Sequence, residues 1–268
     1  MEKCAIAVIQ ARMSSTRLSG KVLLPLAGRP VIWHIVDRLK QCQYIDSVVV
    51  ATSTDTSDDV LAEYLGNNNI ACYRGSLTNV LDRFLVALHS TTNPFCVRIT
   101  GDCPLIEPKF IDAQILALKQ FDSDVVWMKH LSSILEGQGV HSIRSLRYIR
   151  SRSKDSGDNE HVGSIYLSRH PEEFRIVEMH IPDEYRVGDL RLTIDEEPDY
   201  KLFSTVYEQL WNNQPLDLLE VVNWLRSNPE IVEMNRSVRH SAVNQQVSEQ
   251  MKKWEAVQKT GVFQWKSE

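Results

Sequence analysis

The stretch Cys4–Leu26 reads C-A-I-A-V-I-Q-A-R-M-S-S-T-R-L-S-G-K-V-L-L-P-L, and the fold is read outward from it. Ala5 to Ile9 is an apolar run rich in β-branched residues and too short for a helix, the pattern of a strand buried on both faces. The chain then turns polar and basic. Arg12, Arg17 and Lys21 fall within ten residues, among Ser14, Ser15, Thr16, Ser19 and Gly20. Backbone N–H groups and hydroxyls of such a loop can wrap phosphate oxygens while the cations neutralise their charge. The competing reading is a solvated basic turn. Such a turn would not ordinarily follow a buried strand directly, with no acidic residue between Gln10 and Lys21.

Beyond this loop the first half alternates strand and helix. Pro30–Leu39 places Val31, Ile32, Ile35, Val36 and Leu39 on one helical face. Strands are expected at Ile45–Thr52, Ile70–Tyr73, Phe95–Ile99 and Asp124–Met128, and helices at Ser57–Leu65, Asn79–His89 and Pro108–Phe121. This rhythm predicts an α/β protein with a Rossmann-like, open, mostly parallel sheet covered on both faces. In such sheets ligands bind beyond the carboxyl ends of the strands. Both the basic loop and the segment T-G-D-C-P-L-I, which contains Asp102, follow strand ends.

The second half is less regular. Strands are expected at Gly137–Ile143, Phe174–Ile181 and Leu190–Ile194, the last two as antiparallel additions. Helices are expected at Ser145–Ser153, Glu160–Arg169, Glu197–Trp211 and Leu216–Arg226. Ser241–Gln258 is polar and helical by propensity, a peripheral or partner-contacting tail. The expected organisation is a nucleotidyltransferase-type domain over 1–228, with a C-terminal helical extension over 229–268. Within the domain, 1–130 and 186–228 form the core, and 131–185 a small antiparallel insertion for acceptor binding or dimerisation.

Bulk properties narrow the classes. An apolar fraction of 43% and a charged fraction of 24% over 268 residues are ordinary for a soluble globular chain. A net charge of −5 argues against a general affinity for nucleic acid. The basic run Arg144, Arg147, Arg150, Arg152 and Lys154 therefore reads as a solvated helix face. No run reaches membrane-spanning length, and Met1-Glu2-Lys3 leads into a strand without a signal-peptide pattern, so a cytoplasmic location and no membrane partner are expected. The five cysteines lack metal-type spacing and are expected as free thiols.

Four ordered segments carry a resemblance: I-Q-A-R-M-S-S-T-R-L-S-G-K-V-L-L-P-L-A-G-R-P-V-I, V-V-V-A-T-S-T-D, R-G-S-L-T-N-V-L-D-R-F and R-I-T-G-D-C-P-L-I-E-P. Together they resemble the cytidylyltransferases of the CMP-Kdo and CMP-sialic acid synthetase type, nearest the group named after spore-coat polysaccharide biosynthesis protein F. The resemblance spans residues 4–130 strongly and 131–215 loosely. It implies a homodimeric enzyme that uses CTP, an acidic sugar acceptor and Mg2+, and releases pyrophosphate.

The resemblance also implies roles for single residues. Arg12, Ser15, Arg17 and Lys21 would grip the triphosphate, and Gln10, Ala11, Ala51, Thr52, Asn79, Asp82, Arg83 and Thr100 would line the nucleotide pocket. Asp82 and Arg83 can equally be a surface pair on a helix. Asp102 would hold the metal, together with Asp195 at the end of L-R-L-T-I-D. A turn cap for Asp102 and a helix N-cap for Asp195 are the alternatives. His141, Arg144, Glu160, His161 and Arg169 would face the acceptor, although His141 stands where the family more often has an acidic residue.

Two other classes compete. A nucleotide-sugar glycosyltransferase would need a D-x-D-like element, and only Asp102 stands in G-D-C-P. A non-catalytic nucleotide-binding protein would not need the whole Arg12–Lys21 loop and both aspartates.

Overall fold

The computed structural model describes residues 2–129, 132–154, 156–187, 190–239 and 242–266. The stretch Ala5–Gln10 is the strand β1, and it lies well inside the main sheet. The antiparallel pair β2 (Pro25–Leu26) and β3 (Arg29–Pro30) forms a separate small sheet after the basic loop. Seven more strands join β1: β4 (Ile45–Ser53), β5 (Ala71–Gly75), β6 (Phe95–Thr100), β7 (Val125–Trp127), β8 (Gln138–Ser142), β9 (Ile176–His180) and β10 (Gly261–Gln264). Their order is β10-β9-β7-β8-β6-β1-β4-β5. Both neighbours of β1 run parallel to it, in the registers Val8↔Val49 and Val8↔Arg98. From β1 the chain builds outward to β4 and β5 and then returns to the other side at β6. The crevice at the carboxyl ends of β1 and β6 is therefore a topological switch point, where open α/β sheets bind ligands.

Strand alternation divides the core between the two faces. Ala5, Ala7 and Ile9 point into one cluster, with residues of the helices Val31–Leu39, Pro108–Phe121, Glu197–Leu210 and Leu218–Ser227. Ile6 and Val8 point into the other, against the helices Val80–Ala87 and Ile143–Arg152 and against Trp254. With both faces covered, β1 has no polar side, which is why its sequence reads as an unbroken apolar run. Among the described residues no helix is long and apolar enough to cross a membrane.

Four expectations change. Leu190–Ile194 forms no strand; it passes beneath the loop after β6, where Ile194 N–H donates to the Asp102 carbonyl at 2.9 Å. The strand β9 runs parallel to both its neighbours, and the antiparallel strand is β8. The helix expected over Glu160–Arg169 is broken into Ser156–Glu160 and Ser164–Arg169, because Val162 and Gly163 take left-handed φ of 53° and 77°. A Cβ at Gly163 would stand 2.7 Å from Ile149 Cγ2, so the break needs a glycine. The tail is helical over Ala242–Lys252 but is not peripheral: Trp254 is fully buried, donating Nε1–H to the Ser168 carbonyl at 3.2 Å, and β10 closes the sheet beside β9. The expected start of that helix, Ser241, lies outside the described residues.

Candidate active site

The basic loop is built by three restraints. Where β1 ends, Gly101 N–H donates to the Gln10 carbonyl at 2.9 Å, and Ala11 N–H donates to the Ala51 carbonyl at 3.3 Å. A side chain on Gly101 would place a Cβ 2.9 Å from that Gln10 oxygen, so the close approach of the two strand ends requires glycine. Further on, Gly20 takes φ 70° and donates to the Met13 carbonyl at 2.9 Å, folding the loop back on itself. The third restraint is Asp58, which is fully buried. Its carboxylate accepts from Met13 N–H at 2.6 Å and Ser53 N–H at 3.0 Å, and from the Ser53 hydroxyl, tying the loop to the end of β4.

The loop delivers Lys21 to the centre of the crevice. Its ammonium donates to Asp102 Oδ2 at 2.6 Å, the Ile194 carbonyl at 2.8 Å and Asp195 Oδ1 at 2.9 Å. Burial works against this charge, but Asp102 and Asp195 outweigh it through charge and hydrogen bonds, and the Lys21 pKa lies above its ordinary value. Arg17 reaches Asp195 Oδ1 at 2.8 Å and Glu196 at 3.9 Å. The Asp195 carboxyl is held below the usual carboxylate range: burial would raise it, but Lys21, Arg17 and Arg191 together prevail. Thus Arg17, Lys21, Asp102 and Asp195, far apart in the chain, meet at the switch point.

Helix capping does not use Asp195. The helix Glu197–Leu210 is capped by a box in which the Glu196 side chain accepts from the Asp199 backbone and the Asp199 side chain accepts from the Glu196 backbone. Asp195 is left to face the cations, while Arg191 binds both Asp195 and Asp199 beneath it.

Three oxygens converging on one ammonium make a hard, all-oxygen cradle, with Lys21 standing in it as a cation. Two carboxylates of this kind suit a divalent ion that completes its shell with water and phosphate oxygens. By contrast, the exposed group His170, Glu172 and Glu173 lies between the helix Ser164–Arg169 and β9, outside the crevice.

The remaining candidates are placed as follows. Arg12 lies 3.5 Å from Glu160, bringing the turn that carries His161 over the end of β1. Gln10 accepts from Arg98 Nε at 3.1 Å. Ala51 and Thr52 are buried at the end of β4, with the Thr52 hydroxyl unpartnered. The Ser15 hydroxyl faces Leu18 N–H at 3.5 Å, and Thr100 lies 3.2 Å from Cys103 Sγ. Burial pushes the Cys103 thiol up, so it is no nucleophile.

The segment after β5 is engaged in its own architecture. Asn79 caps the helix Val80–Ala87 by accepting from Asp82 N–H at 3.0 Å, and Asp82 bonds Arg150. Arg83 is buried and donates to the Ser76 carbonyl at 2.8 Å. The surface-pair reading of Asp82 holds with Arg150 as partner, in place of Arg83.

Arg144 is a correction. It follows β8, and because β8 is antiparallel to β6 its end lies beside Phe95, at the amino end of β6. There Arg144 binds Asp124 at 2.6 Å and Asp122 at 3.1 Å, away from the crevice. Arg169 ends the helix Ser164–Arg169 and is exposed. His141 points to the same sheet face as Arg98, and burial together with the Arg98 charge pushes its pKa down to about 4. His161 is also lowered, first by burial and then by Arg98.

Sequence reading passed over Asp58, Arg98, Arg191 and Asp199. Asp58 looked like a helix-start residue, and nothing local distinguishes it from Asp55 or Asp59. For Arg191 and Asp199 a signal existed: Arg191 stands i−4 and Asp199 i+4 to Asp195.

The sequence profile of the family described as cytidylyltransferase matches residues 6–247. The spore coat polysaccharide biosynthesis protein SpsF of Bacillus subtilis (strain 168) is 30% identical over 227 residues, covering 83% of this chain and 94% of that protein. A 3-deoxy-manno-octulosonate cytidylyltransferase from Anaeromyxobacter sp. (strain Fw109-5) is 31% identical over 173 residues, 64% of each chain. Among solved structures, a cytidylyltransferase from Leptospira borgpetersenii serovar Hardjo-bovis (strain JB197) superposes with a TM-score of 0.78 at 27% identity, covering 89% of this chain and 100% of that one.

Proposed function

The chain belongs to the cytidylyltransferase family and is a nucleotidyltransferase, and from that premise we propose that it transfers CMP from CTP to an acidic sugar or related acceptor in surface polysaccharide or glycoconjugate biosynthesis. The single observation that carries this reading is the Lys21 ammonium, held at 2.6 Å and 2.9 Å between Asp102 and Asp195. The names of the SpsF and octulosonate relatives support the polysaccharide setting and the acidic acceptor.

In this reaction an acceptor hydroxyl oxygen bonds to the α-phosphorus of CTP. The bond from that phosphorus to the bridging oxygen breaks, pyrophosphate leaves with the electron pair, and the hydroxyl proton passes to water. The loop at Arg12, Ser15, Arg17 and Lys21 supplies backbone donors and cations to the triphosphate, and Lys21 and Arg17 turn from the carboxylates to the phosphates as CTP enters. Fixed cations at the leaving group stabilise the charge that grows there. Asp102 and Asp195, released by Lys21, hold Mg2+. When bound, that ion screens the phosphate oxygens and lowers the pKa of a coordinated hydroxyl. Arg191 and Asp199 keep Asp195 oriented throughout. The ends of β1 and β4 and the loop after β5 receive the cytosine.

The test is a pyrophosphate-release assay with Mg2+ and a panel of acidic sugars, with CTP against ATP, GTP and UTP. Release with CTP alone is expected. Equal release with all four nucleotides, or none with any acidic sugar, would overturn the assignment.

A further inference from the structure

Arg98 is an unusual cation for its place. It lies on β6 with Val8 of β1 on one side and Gly139 of β8 on the other, on the sheet face that also carries Gln10 and His141. It is half-buried, yet among the described residues it makes one hydrogen bond, to Gln10, and no ion pair. The acid whose charge it feels most is Asp102, which is already engaged by Lys21. A guanidinium removed from water without a carboxylate is costly, and its forked donors suit a carboxylate held side-on.

The surroundings leave room for that partner. A Cβ built at Gly139 would meet only His141 Nε2, at 3.8 Å, so the space beside Arg98 is open. His141 Nδ1 is buried without a partner. The Arg98 charge reaches His141 and His161 alike, and holds both imidazoles toward the neutral form after burial itself. Above lies the Glu160–His161 turn, anchored to Arg12. This recess is on the β6–β8 flank of β1, whereas Ala51, Thr52 and the loop after β5 are on the β4–β5 flank. The two flanks of one strand end thus offer separate places for a base and an acceptor.

We propose that Arg98 is the residue that recognises the acceptor, by binding its carboxylate in the recess between β6, β8 and the Glu160–His161 turn. The inference rests on the cytidylyl-transfer reading for the identity of the ligand as an acceptor. The imidazoles of His141 and His161 flank the carboxylate, and Asp102 and Lys21 lie toward the reacting phosphorus.

Ligand-observed NMR on the full chain, with CTP and Mg2+ present, reads binding whether or not turnover occurs. The probes are 3-deoxy-octulosonate and N-acetylneuraminate, their methyl esters, and glucose 6-phosphate. Wild type should bind at least one free acid and neither ester, and Arg98→Gln should weaken that binding roughly tenfold or more while the CTP Kd stays within about twofold. Arg98→Lys, which keeps the charge but loses the fork, should recover part of the loss and shows that the fold tolerates change there. Esters bound as well as acids, acids bound equally by Arg98→Gln, or no acid bound by wild type would each overturn the proposal. Binding of glucose 6-phosphate in place of the acids would overturn the carboxylate assignment. Arg98-dependent binding without pyrophosphate release would instead defeat the transfer reading and leave this one standing.

Discussion

Asp199 lies beneath Asp195 and orients it: one Asp199 oxygen accepts from Asp195 N–H at 2.9 Å and Glu196 N–H at 3.0 Å, while the other accepts from Asn235 Nδ2 at 2.9 Å. Asp199 is fully buried, and its ion pair with Arg191 is enclosed. Breaking one partner of a buried pair strands the other. Asp199→Ala should therefore cost about 3 kcal/mol or more in a urea titration. Asp199→Asn, which keeps an acceptor oxygen, should cost less and slow pyrophosphate release without changing the CTP Kd.

Asp102 faces the reacting phosphorus in the proposed reaction, whereas the triphosphate is gripped by the basic loop. Asp102→Asn should lower kcat by roughly a hundredfold or more and leave the CTP Kd within a few-fold. Titration calorimetry with CTP, beside single-turnover kinetics, separates the two effects. Turnover equal to wild type would remove Asp102 from the site.

The Lys21–Asp195 pair predicts a pH signature. The folded pKa of Asp195 is depressed, so its contribution to stability is present above the unfolded value of about 3.9 and is lost as pH falls through the lower folded value. The folded pKa of Lys21 is raised, so its contribution is complete below about 10.4 and is lost as pH rises through the higher folded value. In Lys21→Met the two carboxylates lose the cation between them. Urea midpoints measured from pH 3 upward, on about a half-unit grid, should show Asp195 protonating at higher pH than in wild type. An unmoved acid limb would show that Lys21 does not set the Asp195 charge.

Gly101→Ala tests the meeting of the two strand ends. The added methyl would stand 2.9 Å from the Gln10 carbonyl and 3.1 Å from Ala11 Cβ, so either the loop or Asp102 must move. A loss of about 1–3 kcal/mol in stability, with a fall in kcat, is expected from circular dichroism melts and release kinetics.

Arg144→Ala should leave the KM for both substrates unchanged, because Arg144 sits at the amino end of the sheet. Its bridges to Asp122 and Asp124 lie on the surface, and their loss should cost no more than about 1 kcal/mol. A raised acceptor KM in steady-state kinetics would return Arg144 to the site.

What the sequence determined by itself is local or periodic. An unbroken apolar run announces a strand covered on both faces, and Ala5–Ile9 announced β1. A small-residue loop with three cations after such a run announces an anion site, and strand-end position brought Arg17, Lys21 and Asp102 into one expectation. The tertiary structure decided direction and partnership. The amino acids of Gln138–Ser142 are the same whether that strand runs up or down, because alternation carries no sense of direction; only its pairing with β6 sent Arg144 to the far end. The tail likewise became part of the sheet only when β9 offered Gly261–Gln264 an edge. Arg98 looks like any strand arginine until its neighbours are seen to leave its guanidinium without a carboxylate. Charge compensation is a property of groups brought within a few ångströms by folding, and distance along the chain does not encode it.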